Sequence, residues 1–213
     1  MRLVLASSSP RRRELLARLG WPFIVLRPDI DETPFAAEPA DVYVARLSRE
    51  KALIVPAEAD DCVIAADTTV TLDGEILGKP ADAAEAIAML TRLGNHRHTV
   101  YTGMTVRIDG QAVLETTTTA TEVILRDYSA ADIVRYVESG APFDKAGGYA
   151  IQDRTFQPVA QWLGCYSNVM GLPLCTLDRM LAACGLIPPQ PVSCRADQPP
   201  CIVAAADALN APA

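Results

Sequence analysis

Three arginines follow a run of serines at the start of a predicted helix. Residues 7–13 read SSSPRRR and come directly after a short apolar strand, residues 3–6. Ser9 is typical of an N-cap, and Pro10 is typical of the first helical position. Arginines are unfavourable there, because a helix N-terminus already carries partial positive charge. With the hydroxyl and backbone N–H groups they predict an anion site, with phosphate as the best candidate and solvated side chains as the alternative.

A carboxylate, Asp67, follows a continuous apolar run at residues 62–66. The run predicts a strand buried on both faces, and ligands of open α/β sheets bind beyond the carboxyl ends of strands. In that position Asp67 could hold Mg²⁺ or Mn²⁺, or activate a water molecule for attack on phosphorus. The alternative is a turn or capping aspartate that faces solvent. Asp67 is therefore the first candidate for catalysis.

Four other charged residues lie where they could serve a phosphorylated ligand. Glu32 ends an acidic loop, residues 29–32, whose oxygens suit a hard cation. Lys79 and Lys145 stand near glycine or proline, where a lysine reaches a phosphate without a bulky neighbour, and Lys51 lies on a predicted helix. Each lysine alone could be an ordinary surface residue. Combined with the two features above, they predict a metal-dependent enzyme acting on a phosphorylated small molecule.

The composition excludes two classes of partner. The 213-residue chain has a net charge of −7, whereas nucleic-acid polymers and anionic membranes require a broad basic face. No stretch is long and apolar enough to span a bilayer and no signal peptide is apparent, so we expect a cytoplasmic protein. A small phosphorylated ligand remains compatible, because a local basic cluster is enough to hold it.

The six cysteines show no metal-binding or redox motif. None forms a C-x-x-C pair, and neither His96 nor His98 stands at zinc-site spacing from them. We therefore interpret the thiols as buried or incidental in a reducing cytosol.

Apolar strands alternate with amphipathic helices, which predicts an α/β protein. Helices are predicted at residues 10–19, 40–55, 82–93, 129–139 and 173–183, and strands at 3–6, 22–26, 62–66, 70–72, 75–77, 99–108 and 113–125. Two hairpin-turn dipeptides, Asp73-Gly74 and Asp109-Gly110, separate neighbouring strands. Prolines break up the end of the chain, so we expect one domain, 1–187, and a poorly ordered tail, 188–213.

A set of short motifs, in order along the chain, resembles that of the Maf family of nucleoside triphosphate pyrophosphatases. The motifs are LASSSPRR at 5–12, DE at 31–32, EKA at 50–52, ADT at 66–68, GKP at 78–80, DKAG at 144–147, YAIQ at 149–152 and GLPL at 171–174. Together they span nearly the whole chain except the tail. The resemblance implies a twisted mixed β-sheet flanked by helices, with two lobes around a deep cleft, as in the inosine triphosphatases.

The resemblance also implies an activity and a role for each candidate. Members of the family hydrolyse a nucleoside triphosphate to the monophosphate and pyrophosphate with a divalent cation. Asp67 would be the proton acceptor or a metal-linked carboxylate, and Glu32 would assist metal binding. The triphosphate would meet serine, arginine and lysine side chains, namely Ser7, Ser9, Arg11, Arg12, Lys51, Lys79 and Lys145. A homodimer is implied by the resemblance alone.

Three positions point to a subgroup of the family. Members that prefer dTTP and UTP carry Arg after Ser-Pro, Thr after the catalytic Asp and Gln at the end of Tyr-x-Ile-Gln. These positions hold Arg11, Thr68 and Gln152 here, whereas members acting on 7-methyl-GTP carry Trp and Gln at the first two. A Gln amide offers both a donor and an acceptor to the O4/N3 edge of uracil or thymine. The chain departs from the family pattern at Ala141, where Glu is usual, and at residues 93–98, LGNHRH, where Ser-Gly usually precedes the His of the central strand. Arg13 also falls outside the pattern, and we interpret it as a surface residue.

Two other functions stay open at this stage. The similarly folded inosine triphosphatases suggest that the chain could instead hydrolyse purine triphosphates such as ITP or XTP. The family has also been linked to arrest of septum formation, so the chain could be a regulatory binding protein. We favour an enzyme, because binding alone would not need phosphate-compatible charges in several separate loops.

Overall fold

A computed structural model describes residues 1–194 as a mixed α/β fold built on a seven-stranded sheet. The strands are β1 (Leu3–Ala6), β2 (Phe23–Leu26), β3 (Cys62–Leu72), β4 (Glu75–Leu77), β5 (Arg97–Ile108), β6 (Val113–Leu125) and β7 (Val159–Leu163). The helices are α1 (Pro10–Ala17), α2 (Ala40–Ile54), α3 (Ala83–Leu93), α4 (Ala130–Glu138), α5 (Tyr166–Val169) and α6 (Leu174–Ala183). Short 3₁₀ turns lie at Asp109–Gln111, Ala141–Asp144 and Ala146–Gly148. The predicted mixed sheet flanked by helices is confirmed.

The sheet changes from parallel to antiparallel pairing at β3. Its order is β2-β1-β3-β5-β6-β7, with β4 paired to the end of β3. β1 runs parallel to β2 and β3, whereas β5 runs antiparallel to β3 and β6. The pairing of β1 with β3 ends at Ala65, while the pairing of β5 with β3 continues to Thr71. β3 therefore extends well past the end of its parallel neighbour.

Asp67 lies within β3 rather than after it, which corrects the sequence-based expectation. It pairs with Gly103 of β5, and the predicted strands at 62–66 and 70–72 are parts of one continuous strand. The reason is the long antiparallel ladder that β5 provides, which the sequence of β3 alone does not reveal. Asp67 still lies just beyond the carboxyl end of the parallel pairing with β1, where the ligand rule for α/β sheets places functional groups.

Two hydrophobic cores lie along the same long strands. One core packs α1 and α6 against the first part of β3, through Leu15, Ala66 and Leu177. The other packs α3 against the last part of β3, through Val70 and Leu90, and also includes α4. Residues 67–69 lie between these two cores along the strand. This arrangement matches the predicted division into two lobes.

α2 packs unusually close to β5 because Gly103 has no side chain. A Cβ atom at Gly103 would lie 2.2 Å from the carbonyl oxygen of Val44 on α2. Any other residue would therefore push the helix away from the sheet. Since Gly103 pairs with Asp67, this close approach also brings the later turns of α2, which carry Lys51, towards Asp67.

Two short elements, β7 and α5, were not among the predicted ones. Both are five residues or shorter, and β7 is an edge strand with exposed positions, so neither carries a clear periodicity. Within residues 1–194, no helix combines the length and the apolar character that crossing a membrane requires.

The segment predicted as a tail, 188–213, begins in contact with the domain. The backbone N–H of Gln190 donates to the carbonyl oxygen of Leu19 over 3.2 Å, and Cys194 is buried in the core that contains α1 and α6. The packed part of the chain therefore reaches at least Cys194. The remainder of the predicted tail, 195–213, lies outside the described residues.

Candidate active site

All eleven residues predicted for the site line one cavity of about 450 Å³. The cavity is bordered by the start of α1, the middle of β3 and the loops before α2, α3 and α6. The residues are Ser7, Ser9, Arg11, Arg12, Glu32, Lys51, Asp67, Thr68, Lys79, Lys145 and Gln152. Residues from seven separate stretches of the chain thus meet in one place.

A buried lysine joins the two predicted metal ligands. Lys51 Nζ lies 2.5 Å from Asp67 Oδ1 and 2.6 Å from Glu32 Oε1. The side chains of Lys51 and Asp67 are 6% and 9% exposed, whereas that of Glu32 is half exposed. Burial raises the pKa of Glu32, but the hydrogen bond and charge of Lys51 outweigh this and bring the pKa below its ordinary value. Glu32 is therefore anionic at neutral pH.

Tyr43 fixes the loop that carries Glu32, and sequence reasoning missed it. Its hydroxyl donates to the backbone carbonyl of Glu32 over 2.8 Å. Burial and the charges of Asp67 and Glu32 raise the pKa of Tyr43 to about 12, so the hydroxyl keeps its proton. Tyr43, Leu47 and Lys51 are spaced four residues apart on α2 and are all buried on one face. This spacing was the sequence signal that could have placed Tyr43 on the same face of the helix as Lys51.

Arg12 clamps three elements together at the cavity wall. Its Nε donates to the carbonyl oxygen of Gly171 over 2.8 Å, and its Nη2 donates to Thr68 Oγ1 over 3.0 Å. Its Nη1 lies 3.4 Å from Ser7 Oγ, and burial lowers the pKa of the guanidinium. Ser9 caps α1, with its hydroxyl accepting from the N–H of Arg12, as predicted. Arg12 is therefore already held in position before any ligand binds.

Arg11 and Lys145 meet at Asp144, which also lines the cavity. Arg11 Nη1 donates to Asp144 Oδ2 over 2.7 Å, and Lys145 Nζ contacts the other carboxylate oxygen. Burial raises the pKa of Asp144, but these two cations outweigh it and lower the pKa overall. Lys145 Nζ also donates to the carbonyl oxygen of Ala141, the position that departs from the family pattern. Sequence reasoning missed Asp144 as a site residue, although it stands beside Lys145.

Gln152 and Tyr149 both line the cavity, and the amide oxygen of Gln152 is buried. Gln152 Oε1 is buried and has no hydrogen-bond partner among residues 1–194. A buried acceptor without a partner is costly, and a donor on a ligand is one way to satisfy it. The hydroxyl of Tyr149 is hydrogen-bonded to His98, whose Nε2 lies 2.7 Å away.

The cavity has a net positive charge although the chain is acidic. Five cationic side chains line it, against three anionic ones. The cations are Arg11, Arg12, Lys51, Lys79 and Lys145, and the anions are Glu32, Asp67 and Asp144. Such a concentration of positive charge in a chain with a net charge of −7 suits a polyanionic ligand. Arg13 is exposed and is not among the lining residues, in agreement with its interpretation as a surface residue.

The donor set fits a divalent metal ion that a polyphosphate ligand brings with it. In the part of the chain that the structure describes, no group of three or more His, Cys, Asp or Glu side chains is placed to hold a metal ion. The cavity does hold two carboxylates, Asp67 and Glu32, joined by Lys51. Mg²⁺ is usually bound by one or two carboxylates together with substrate phosphates and water. The residues present therefore fit a divalent ion carried by a polyphosphate.

Comparison with known proteins gives consistent matches over nearly the whole described chain. The family model for Maf-like protein matches residues 2–184. The chain is 52% identical to a dTTP/UTP pyrophosphatase of Myxococcus xanthus (strain DK1622), over 86% of this chain and 93% of that protein. It is 48% identical to a dTTP/UTP pyrophosphatase of Anaeromyxobacter dehalogenans (strain 2CP-C), over 86% and 94%, and 46% identical to one of Thermomicrobium roseum, over 87% and 85%. A HAM1 protein structure from Coxiella burnetii matches with a TM-score of 0.42 and 17% identity, over 74% of this chain and 89% of that one.

Proposed function

Because the chain belongs to the Maf family, we propose that it is a nucleoside triphosphate pyrophosphatase acting on dTTP and UTP. Its relatives at 46–52% identity carry that name and align over 85% or more of their own length. The observation that carries the proposal is the position of Asp67. This buried carboxylate shares one cavity with five cationic side chains.

The reaction requires a general base close to the attacking water and cationic side chains close to the phosphates. A water molecule attacks the α-phosphorus, the bond to the bridging oxygen breaks, and pyrophosphate leaves with the charge that develops. In our proposal Asp67 accepts the proton of the attacking water, and Lys51 orients its carboxylate through Oδ1. Arg11, Lys79 and Lys145 meet the developing charge on the phosphates.

We propose that Mg²⁺ or Mn²⁺ accompanies the substrate. Asp67 and Glu32 would hold the ion together with phosphate oxygens. When bound, it would neutralise charge on the leaving pyrophosphate. Lys51 contacts one oxygen of each carboxylate, so both side chains already face the same ammonium group.

Gln152, which lines the same cavity, would recognise the nucleobase. Its buried Oε1 acceptor can take the N3–H of uracil or thymine, and its amide N–H₂ can donate to O4. Arg12 donates a hydrogen bond to Thr68, so we propose that these two residues shape the part of the cavity between the nucleobase and the phosphates. This assignment favours uracil and thymine over cytosine, which has no N3–H and carries an amino group in place of O4.

A nucleotide panel tests the proposal. Purified protein with Mg²⁺ or Mn²⁺ is incubated with dTTP, UTP, CTP, ITP, XTP and 7-methyl-GTP, and both products are identified. We expect pyrophosphate and the nucleoside monophosphate in equal amounts, fastest with dTTP and UTP. Release of inorganic phosphate, preference for ITP or XTP, or absence of turnover would each contradict the proposal. The cytoplasmic location, the homodimer and the link to septum formation stay predictions.

A further inference from the structure

A chain of hydrogen-bonded hydroxyl groups leads from the cavity wall into the sheet. Thr68 and Thr102 stand opposite each other on β3 and β5, and their Oγ1 atoms are 2.9 Å apart. At one end of the chain, Arg12 Nη2 donates to Thr68 Oγ1 over 3.0 Å. At the other end, Thr102 Oγ1 donates to the carbonyl oxygen of Asn168 over 3.1 Å. Thr68 lines the cavity, whereas Thr102 is fully buried.

The two ends of this chain determine where each hydroxyl proton lies. A guanidinium has only N–H donors, so Thr68 accepts from Arg12. A carbonyl oxygen only accepts, so Thr102 gives its single proton to Asn168. The bond between the two threonines then has one direction, from the Thr68 hydroxyl to Thr102 Oγ1. Because its proton is used within the sheet, Thr68 can offer a ligand only a lone pair.

We propose that Thr102 is a positioning residue, which fixes the Thr68 hydroxyl as an acceptor for a hydroxyl group of the substrate sugar. The inference rests on the proposed function and specifies how the enzyme holds the sugar of its nucleotide. A hydroxyl oxygen has two lone pairs, and among residues 1–194 only Arg12 donates to Thr68 Oγ1. One lone pair is therefore left for a ligand.

The substrate has few groups that such an acceptor can bind. The oxygens of an ionised triphosphate accept hydrogen bonds and do not donate them, so they do not suit Thr68. The donors of dTTP are the N3–H of the base, which we assign to Gln152, and the 3′-hydroxyl of the sugar. The sugar also lies between base and phosphates, the part of the cavity that we assign to Thr68. The 3′-hydroxyl, which dTTP and UTP share, is therefore the matching group.

The surroundings of the hydroxyl chain hold it in place in the free protein. Asn168 is fully buried, and its carbonyl oxygen also accepts from the N–H of Gly171 over 2.8 Å. The carbonyl oxygen of Gly171 in turn accepts from Arg12 Nε. A Cβ atom at Gly171 would lie 3.3 Å from Thr68 Oγ1, and the φ of +108° there also favours glycine. The direction of the hydrogen bonds is thus set before substrate binds.

Two matched nucleotide analogues test the sugar contact. The α,β-imido analogues of dTTP and of 2′,3′-dideoxythymidine triphosphate cannot release pyrophosphate, and they differ only at the 3′-hydroxyl. In calorimetric titrations of the full chain, we expect the dideoxy analogue to bind about 5- to 10-fold more weakly, because one neutral hydrogen bond is lost. Equal dissociation constants, or no binding of either analogue, would overturn the proposal.

Turnover of dTTP, measured on the same preparation, separates this inference from the proposed function. If the dideoxy analogue binds more weakly but dTTP yields no pyrophosphate, the pyrophosphatase proposal fails and the sugar contact stands. If dTTP yields pyrophosphate and the two analogues bind equally, the sugar contact fails and the pyrophosphatase proposal stands.

Variants of Thr102 test its positioning role. Thr102→Val removes the acceptor for the Thr68 proton but keeps the side-chain shape, so the Thr68 hydroxyl is free to rotate. The difference in affinity between the two analogues should then shrink by at least about twofold. Thr102→Ser keeps the hydroxyl and should retain the wild-type difference. Thr102→Ala removes the same hydroxyl with less bulk, so it carries the test if the valine variant does not fold.

Thr105→Val is the matched control. Thr105 is as fully buried as Thr102 and lies on the same strand, but its hydroxyl is hydrogen-bonded to Ser48 and Thr116 rather than to the chain that reaches the cavity. Its loss should leave the difference between the analogues unchanged. A wild-type difference in folded Thr102→Val, or an equal reduction in Thr105→Val, would overturn the positioning role.

Discussion

Lys51 donates a 2.5 Å hydrogen bond to Asp67, and both side chains are buried although one lies on a helix and the other in the centre of the sheet. The contact depends on the close packing of α2 on β5, which the absence of a side chain at Gly103 allows. A buried carboxylate with a fixed cationic partner has a defined position and orientation. We therefore expect the pair to behave as one unit in both stability and catalysis.

Replacing Lys51 by Met should reduce both the stability of the fold and the catalytic rate. Removing one partner of a buried ion pair leaves the other charge uncompensated, so the free energy of unfolding should fall by about 3 kcal/mol. Pyrophosphate release should slow by about 100-fold, because Asp67 loses its orientation. Denaturant titration and steady-state kinetics measure the two effects.

Lys79→Met is the matched control for that variant. Lys79 lines the same cavity but is exposed, so its removal should raise KM while the unfolding free energy changes by less than about 0.5 kcal/mol. Equal loss of stability in the two variants would contradict the special role of the Lys51–Asp67 pair.

Gln152→Met should weaken the selectivity of the enzyme for the nucleobase of its substrate. Loss of one neutral hydrogen bond corresponds to about 1 kcal/mol, so kcat/KM for dTTP and UTP should fall by about 5- to 10-fold. Rates with CTP should change less, because cytosine lacks both N3–H and O4, so the preference for dTTP over CTP should fall. The measurement is kcat/KM for each nucleotide, with Gln161→Met, an exposed position on β7, as the control. An unchanged ratio of kcat/KM between dTTP and CTP would exclude Gln152 from base recognition.

Stability should fall in mild acid because of His98. Burial lowers the pKa of His98 to about 4, so the folded state binds fewer protons than the unfolded state between about pH 6.5 and 4. The stabilising contribution of neutral His98 is complete above pH 6.5 and is lost as the pH falls. The free energy of unfolding should therefore decrease by about 2 kcal/mol between pH 7 and 5. The free energy of unfolding of His98→Gln should depend less on pH over this range.

His96→Gln provides the control for the histidine experiment, because His96 is exposed and two residues away. Its pH dependence should match that of the wild-type protein. If His98→Gln keeps the wild-type slope, buried neutral His98 is not the cause of the acid sensitivity.

Local patterns predicted most of the fold and the members of the site. Ser9 and Pro10 at the start of α1, and the two Asp-Gly turns, act through neighbouring residues, so sequence alone located them. The predicted site residues stand in short motifs and do meet in one cavity. Short-range signals were sufficient wherever the physical cause was itself local.

Long-range contacts account for what the sequence did not predict. The full length of β3 depends on β5, about forty residues away, and Asp67 was therefore placed past a strand end rather than inside the strand. The role of Tyr43 depends on a loop eleven residues earlier. Cys175 and Cys194 come into contact because the last described residues fold back onto α6, so spacing along the chain gave no sign of this contact.

The central claim is that Asp67 is the catalytic carboxylate, and Asp67→Asn tests it most directly. The amide keeps the size of the side chain but cannot accept a proton, so we expect pyrophosphate release from dTTP to fall by at least about 100-fold. Asp73→Asn, an exposed turn residue outside the cavity, should retain the wild-type rate. Circular dichroism confirms that both variants fold. A folded Asp67→Asn protein that releases pyrophosphate at the wild-type rate would contradict the account.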